Sequence, residues 1–160
     1  MSSFDRRVFL ISLAALAGCG FEPVYKSEGS ADGLRGAIRV NPPTTRDEYA
    51  LVSRLEDRLG FGEAARYELR VLLQTESEGL AISGTNEISR YNLLGTASYA
   101  LRDLTTNQIV LTDKVNSFTS YSASEQPVAT LTAERDAQER LMVTLADKIT
   151  SQLLLNSERL

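Results

Sequence analysis

The stretch Arg66-Tyr67-Glu68-Leu69-Arg70-Val71-Leu72-Leu73-Gln74-Thr75-Glu76 alternates apolar and polar side chains with a period of two. Tyr67, Leu69, Val71 and Leu73 fall on one side, and Arg66, Glu68, Arg70 and Leu72 on the other. The segment therefore reads as a β-strand with one apolar face and one mostly wet face. Downstream, Glu76-Ser77-Glu78-Gly79 predicts a turn, and Ser83-Gly84-Thr85-Asn86 offers a second break. A second strand is expected from Ile88 to Arg102, with Tyr91, Leu93, Gly95, Ala97, Tyr99 and Leu101 on one side. Small Gly95 and Ala97 in mid-strand imply close packing there, most simply by a helix. Asp103–Asn107 turns the chain into a last strand at Gln108–Tyr121. Its alternation is poor, because Ile109-Val110-Leu111 is continuous and Val115 and Phe118 have opposite parity. A bulge or an edge position would each explain that.

Upstream, a strand is expected at Leu34–Asn41, with Leu34, Gly36, Ile38 and Val40 sharing a face, and Pro42-Pro43 stops it. Thr45-Arg46-Asp47-Glu48 has the spacing of a capping box, with Thr45 as N-cap and Glu48 reaching back. The helix that follows places Leu51, Val52, Leu55 and Leu59 on one stripe and ends at Gly60, a position suited to a left-handed residue. After the loop Tyr121–Pro127, a long helix is expected over Thr130–Asn156. Ala133, Ala137, Leu141, Leu145, Ile149 and Leu153 recur every four residues, supported by Met142 and Ala146. Such a stripe can attract a partner helix or a membrane, but covering the sheet is its simplest use. The order β-α-β-β-β-α predicts an α+β two-layer sandwich, with two helices packed on one face of a four-stranded sheet.

Residues 1–18 have the marks of an export signal. Arg6 and Arg7 precede the apolar run Val8–Leu16, and Leu16-Ala17-Gly18-Cys19 places small residues before the single cysteine. The run is too short to cross a bilayer, which needs roughly 20 apolar residues. The arrangement resembles the bacterial lipobox, in which the cysteine takes diacylglycerol, the peptide is cut before it, and the new amino group is acylated. The competing reading is a free cysteine closing an ordinary signal. Cys19 is thus the expected lipid-attachment residue, and three acyl chains would hold the domain on a membrane. Gly20, rather than an aspartate that would retain a lipoprotein in the inner membrane, points by that resemblance to the periplasmic face of the outer membrane. Asp5-Arg6-Arg7-Val8-Phe9-Leu10 partly matches the twin-arginine export pattern, although two arginines also serve an ordinary signal, and the route stays open. Residues 19–33 are rich in Gly, Ser and Pro and read as a lipidated tether, leaving 34–160 as a single α+β domain.

Composition narrows the function further. The mature part would carry 15 basic against 20 acidic residues, without the basic stripe of a nucleic-acid binder. Histidine is absent, so Ser-His-Asp and Cys-His pairs and imidazole metal sites are excluded. The carboxylate pairs Asp47/Glu48, Glu56/Asp57 and Glu76/Glu78, and the group Glu134/Asp136/Glu139, sit in solvated turns without apolar neighbours to raise a pKa. Gly60-Phe61-Gly62 lacks the lysine and spacing of a phosphate loop. No catalytic residue, metal ligand or cofactor is expected.

Three further features carry a family resemblance. Cys19-Gly20-Phe21-Glu22-Pro23-Val24-Tyr25 is similar to the opening of mature LPS-assembly lipoproteins. Arg90-Tyr91-Asn92-Leu93-Leu94-Gly95-Thr96-Ala97-Ser98-Tyr99-Ala100-Leu101-Arg102-Asp103 resembles their central strand. The element order and the alanine-rich last helix agree across nearly all of the mature chain, although the tail at Asn156–Leu160 lacks the polar extension many members carry. The resemblance implies a non-catalytic partner of the LPS-translocating β-barrel protein (LptD-like), which members plug and help to assemble, and direct contact with lipopolysaccharide. Phosphates on that ligand call for cations. Arg90, beside Tyr91 at a strand start, and Lys114, in the irregular last strand, are the candidate LPS contacts. Each would equally keep an exposed sheet face soluble. Two other readings stand beside this one: an auxiliary lipoprotein of a phospholipid-transport system, and a lipid-anchored periplasmic hydrolase working through a carboxylate pair.

Overall fold

The computed structural model describes residues 32–82, 88–124 and 126–160. Cys19 and most of the tether lie outside them, as does the break expected at Ser83–Asn86. Asp32–Leu34 forms a 3-10 turn, and strand β1 covers only Ile38–Val40. Helix α1 spans Arg46–Leu59, strands β2, β3 and β4 span Tyr67–Ile82, Ile88–Asp103 and Ile109–Ser122, and helix α2 spans Pro127–Leu155. The sheet order is β1-β2-β3-β4, with β1 parallel to β2 and the other pairs antiparallel. Helix α2 packs on β3, β4 and α1, while α1 packs on β1, so both helices cover one face. This is the expected α+β two-layer sandwich.

Helix α1 starts as its sequence dictates. Glu48 N–H donates to Thr45 Oγ1 at 3.2 Å, and Thr45 N–H donates back to Glu48 Oε2 at 3.2 Å, which closes the capping box. The Thr44 hydroxyl and amide also donate to Glu48, and these bonds hold its carboxyl below the usual range. Leu51, Val52, Leu55 and Leu59 are the buried stripe. Gly60 ends the helix at φ 81 and ψ 162. Its φ is positive as expected, but its extended ψ turns the chain sharply back toward β1 rather than adding a left-handed turn. Helix α2 begins three residues earlier than its periodicity suggested. Pro127 supplies the fixed φ of a first helical turn and has no amide to leave unpaired.

The expected strand over Leu34–Asn41 is shortened to its last part. Gly36 sits at φ 75 and donates its N–H to the Leu59 carbonyl at 2.7 Å, so the residues before Ala37 turn across the end of α1. Pairing starts at the Ala37 carbonyl, which accepts from the Arg66 and Tyr67 N–H groups at 2.9 Å. Leu34 is buried all the same, from the turn. The turn expected at Glu76–Gly79 does not form. Glu76, Ser77, Glu78 and Gly79 pair with Leu94, Leu93, Asn92 and Tyr91. Their polarity reflects a strand end beyond the helices, open to water on both faces, and a register irregularity follows Gly79. Both explanations for the poor alternation of β4 hold: it is an edge strand, and its register shifts where Leu101 pairs with Leu111 and Arg102 with Ile109.

Leu93, Gly95, Ala97, Tyr99 and Leu101 alternate into the core against Leu141, Leu145, Ile149 and Leu153. The close approach expected at Gly95 is present: a Cβ there would lie 2.9 Å from Leu141 Cδ2 and 3.0 Å from Leu145 Cδ1. Gly62 is tighter still, since a Cβ would meet the Ile38 carbonyl oxygen at 2.6 Å, and backbone cannot swing aside as a leucine methyl can. The two helices are tied by Arg54, whose Nε and Nη2 donate to the two Asp147 carboxylate oxygens at 3.0 and 3.1 Å.

Candidate functional site

Odd-numbered residues of β3 face the helices, so the even-numbered ones define an open face, and register extends it to the neighbouring strands. On β2 it carries Glu68, Arg70, Leu72 and Gln74; on β3, Asn92, Leu94, Thr96 and Ser98; on β4, Thr112, Lys114, Asn116 and Phe118. Among the described residues no element covers it. Leu72 is 66% exposed and Phe118 67%, with Phe118 directly opposite Leu94. Leu72 lies apart, opposite Ser98, four residues along β3 from that pair, so the face carries two separate apolar points in a field of hydroxyls, amides and charges.

Arg90 and Lys114 both belong to this face and are exposed. They are not brought together. Lys114 lies opposite Ser98, eight residues along β3 from Arg90, a separation of about 27 Å at the usual strand rise. Nor does Arg90 share a surface with Tyr91. The Tyr91 ring turns to the helix side and stacks on Tyr121, with centroids 5.2 Å apart and planes at 13°.

Sequence reasoning missed the densest charge cluster. Arg39 on β1 pairs with Glu68 on β2, which pairs with Arg102 on β3. Arg70 lies two residues along β2 on the same face, its Nε 3.1 Å from Glu68 Oε2. Arg102 Nη1 stands 3.9 Å and Arg39 Nη2 4.0 Å from the same carboxylate. The Glu68/Arg70 spacing was visible in the chain, but Arg39 and Arg102 join it only through strand register.

At the β4 edge, an open groove of about 590 Å³ is lined by Lys114, Asn116, Thr144, Asp147, Lys148 and Ser151. Lys148 Nζ donates to the outward-facing Asn116 carbonyl at 2.7 Å, and Lys114 N–H donates to Asp113 Oδ1 at 2.8 Å. Side chains thus occupy backbone positions that a further strand would need. Tyr99 is buried opposite Asp113, and its hydroxyl has no hydrogen-bond partner. Burial, with Asp113 as a lesser contribution, pushes its pKa up to about 12. Among the described residues no group of three or more His, Cys, Asp or Glu side chains is placed to hold a metal, and no helix is long and apolar enough to cross a membrane.

A four-stranded mixed sheet backed on one side by two helices is a fold found among bacterial lipoproteins. A candidate lipoprotein of Caulobacter crescentus has it at a TM-score of 0.68 and 22% identity, over 83% of this chain and 98% of that one. Rare lipoprotein B of Shewanella oneidensis has it at a TM-score of 0.56 and 15% identity, over 76% of this chain and 94% of that one. Residues 36–153 match the sequence model of the LptE family, described as lipopolysaccharide-assembly, and the chain belongs to that family. An uncharacterized protein of Rickettsia prowazekii is 28% identical over 149 residues, covering 92% of this chain and 95% of its own length.

Proposed function

We propose that this chain is a non-catalytic, lipid-anchored subunit of the outer-membrane machinery for lipopolysaccharide. Cys19 carries the acyl chains and holds the domain on the periplasmic side of the outer membrane. The folded domain, residues 34–160, seats its open sheet face against the LPS-translocating β-barrel (LptD-like), helps that barrel assemble, and aids delivery of LPS to the outer surface. The family match over residues 36–153 is the observation that carries this reading. The open face supports it physically: a barrel lumen is polar and wet, and a sheet face rich in Thr, Ser and Asn with isolated apolar points at Leu72 and Phe118 suits such a wall. Arg90 and Lys114 are proposed LPS contacts, acting separately because about 27 Å of strand lies between them.

Co-purification of the lipidated protein from detergent-extracted outer membranes tests the proposal. A single large β-barrel at one-to-one stoichiometry is expected, with Arg90→Glu retaining the barrel and losing LPS binding. Recovery with inner-membrane transport subunits would favour a phospholipid-transport role instead, and recovery alone would leave the barrel reading without support. Unchanged LPS binding by Arg90→Glu would remove that residue from the contact.

A further inference from the structure

The ion pairs of Arg39, Arg70 and Arg102 all converge on Glu68, from three adjacent strands. Three guanidinium groups face one carboxylate, so the cluster is two positive charges in excess on a chain whose overall charge is −4. Only Arg70 is within hydrogen-bond distance of Glu68; Arg39 and Arg102 stand at 4.0 and 3.9 Å, too far to spend their N–H donors on it. The arginine side chains range from 30% to 58% exposed, whereas Glu68 is 14% exposed and sits beneath them. Strand spacing puts Arg39 and Arg102 about 10 Å apart at Cα, flanking Glu68, with Arg70 roughly 7 Å along the strand. Their forks can therefore reach a common point above the sheet.

We propose that Arg39, Arg70 and Arg102 form a binding site for a phosphate-type dianion, either free in solution or borne on a lipid headgroup. Planar guanidinium forks match phosphate oxygens in pairs, and a dianion balances the local excess of two charges. Glu68 keeps the three stems turned toward one another and takes no part in the contact. The site lies toward the Asp103 end of the sheet, roughly 40 Å along β3 from Arg90. It does not depend on the barrel reading, because it is complete within this chain.

The test uses the mature chain, residues 19–160 with Cys19→Ser, so that neither the export signal nor an acyl anchor can carry it to a vesicle. Arginine Nε–H signals are followed by NMR during titration with inorganic phosphate at 150 mM salt. A parallel arm uses phosphatidylcholine vesicles with and without phosphatidic acid. Saturable shifts confined to Arg39, Arg70 and Arg102 with inorganic phosphate support a site for the free anion. Binding only to phosphatidic acid vesicles supports a headgroup site. Arg39→Gln and Arg70→Gln, both at exposed positions, should each weaken binding by about fivefold, as loss of a charge-assisted hydrogen bond implies. Absence of saturable binding in both arms, or equal binding by folded Arg39→Gln and Arg70→Gln, would overturn the proposal.

Discussion

Asp103 closes the turn between β3 and β4 with one side chain. It is 6% exposed and accepts N–H bonds from Thr105 at 2.7 Å and Thr106 at 3.1 Å, with Arg66 Nη2 at 3.3 Å. Asn107, next in the turn, adopts φ 58, a conformation its short polar side chain tolerates. The Thr106 amide above all, then the Thr105 amide and Arg66, hold the Asp103 carboxyl below its ordinary value of 3.8, against the opposing effect of burial. The unfolded chain therefore binds this proton more tightly than the folded one. Asp103 contributes its stability in full above about pH 4 and loses it as pH falls through the lower folded value. Asp103→Asn is expected to lower the melting temperature at pH 7 and to flatten the fall in stability below pH 4. Parallel wild-type and variant curves across that range would show that the turn does not depend on the charge.

Among the elements, those set by neighbours in sequence were the legible ones. The capping box of α1, its four buried leucine and valine positions, the leucine stripe of α2 and the alternation of β3 each depend on residues within a few turns or pleats. Where the reading failed, a distant contact had decided the outcome. β1 is short because Gly36 bonds to the end of α1, and Glu76–Gly79 stays extended because β3 runs alongside it. The arginine cluster escaped for the same reason, since three strands meet there and only Glu68 and Arg70 are near in sequence. The β4 edge shows such a contact acting protectively. Lys148 holds the Asn116 carbonyl across the groove, and a charged side chain at an unpaired edge discourages another strand from adding to it. Lys148→Ala should leave the fold intact by circular dichroism while raising the rate of self-association at high concentration. Unchanged light scattering would mean that the bulk of α2 already shields the edge.

Taken whole, the domain is packed from one side. Among the described residues every fully buried large apolar side chain belongs to one core between sheet and helices, and the opposite face leaves Leu72 and Phe118 in water. Exposed substitutions outside special contacts cost little, so Leu72→Asp with Phe118→Asp should change stability by less than about 1 kcal/mol, chiefly through the Leu94–Phe118 cross-strand pair. On the proposed barrel reading, the same double variant should no longer co-purify a barrel. Retention of a stoichiometric barrel would place the interface elsewhere on the domain.

The alternation of β3 also divides the tasks of one strand between neighbouring residues. A saturation scan scored only for folding would draw a comb along it, with intolerant teeth at Leu93, Gly95, Ala97, Tyr99 and Leu101 and permissive gaps between. If the open face makes the barrel contact proposed above, the same scan scored for function in the cell would fill those gaps. The difference between the two profiles would map the working surface without any bound partner in view.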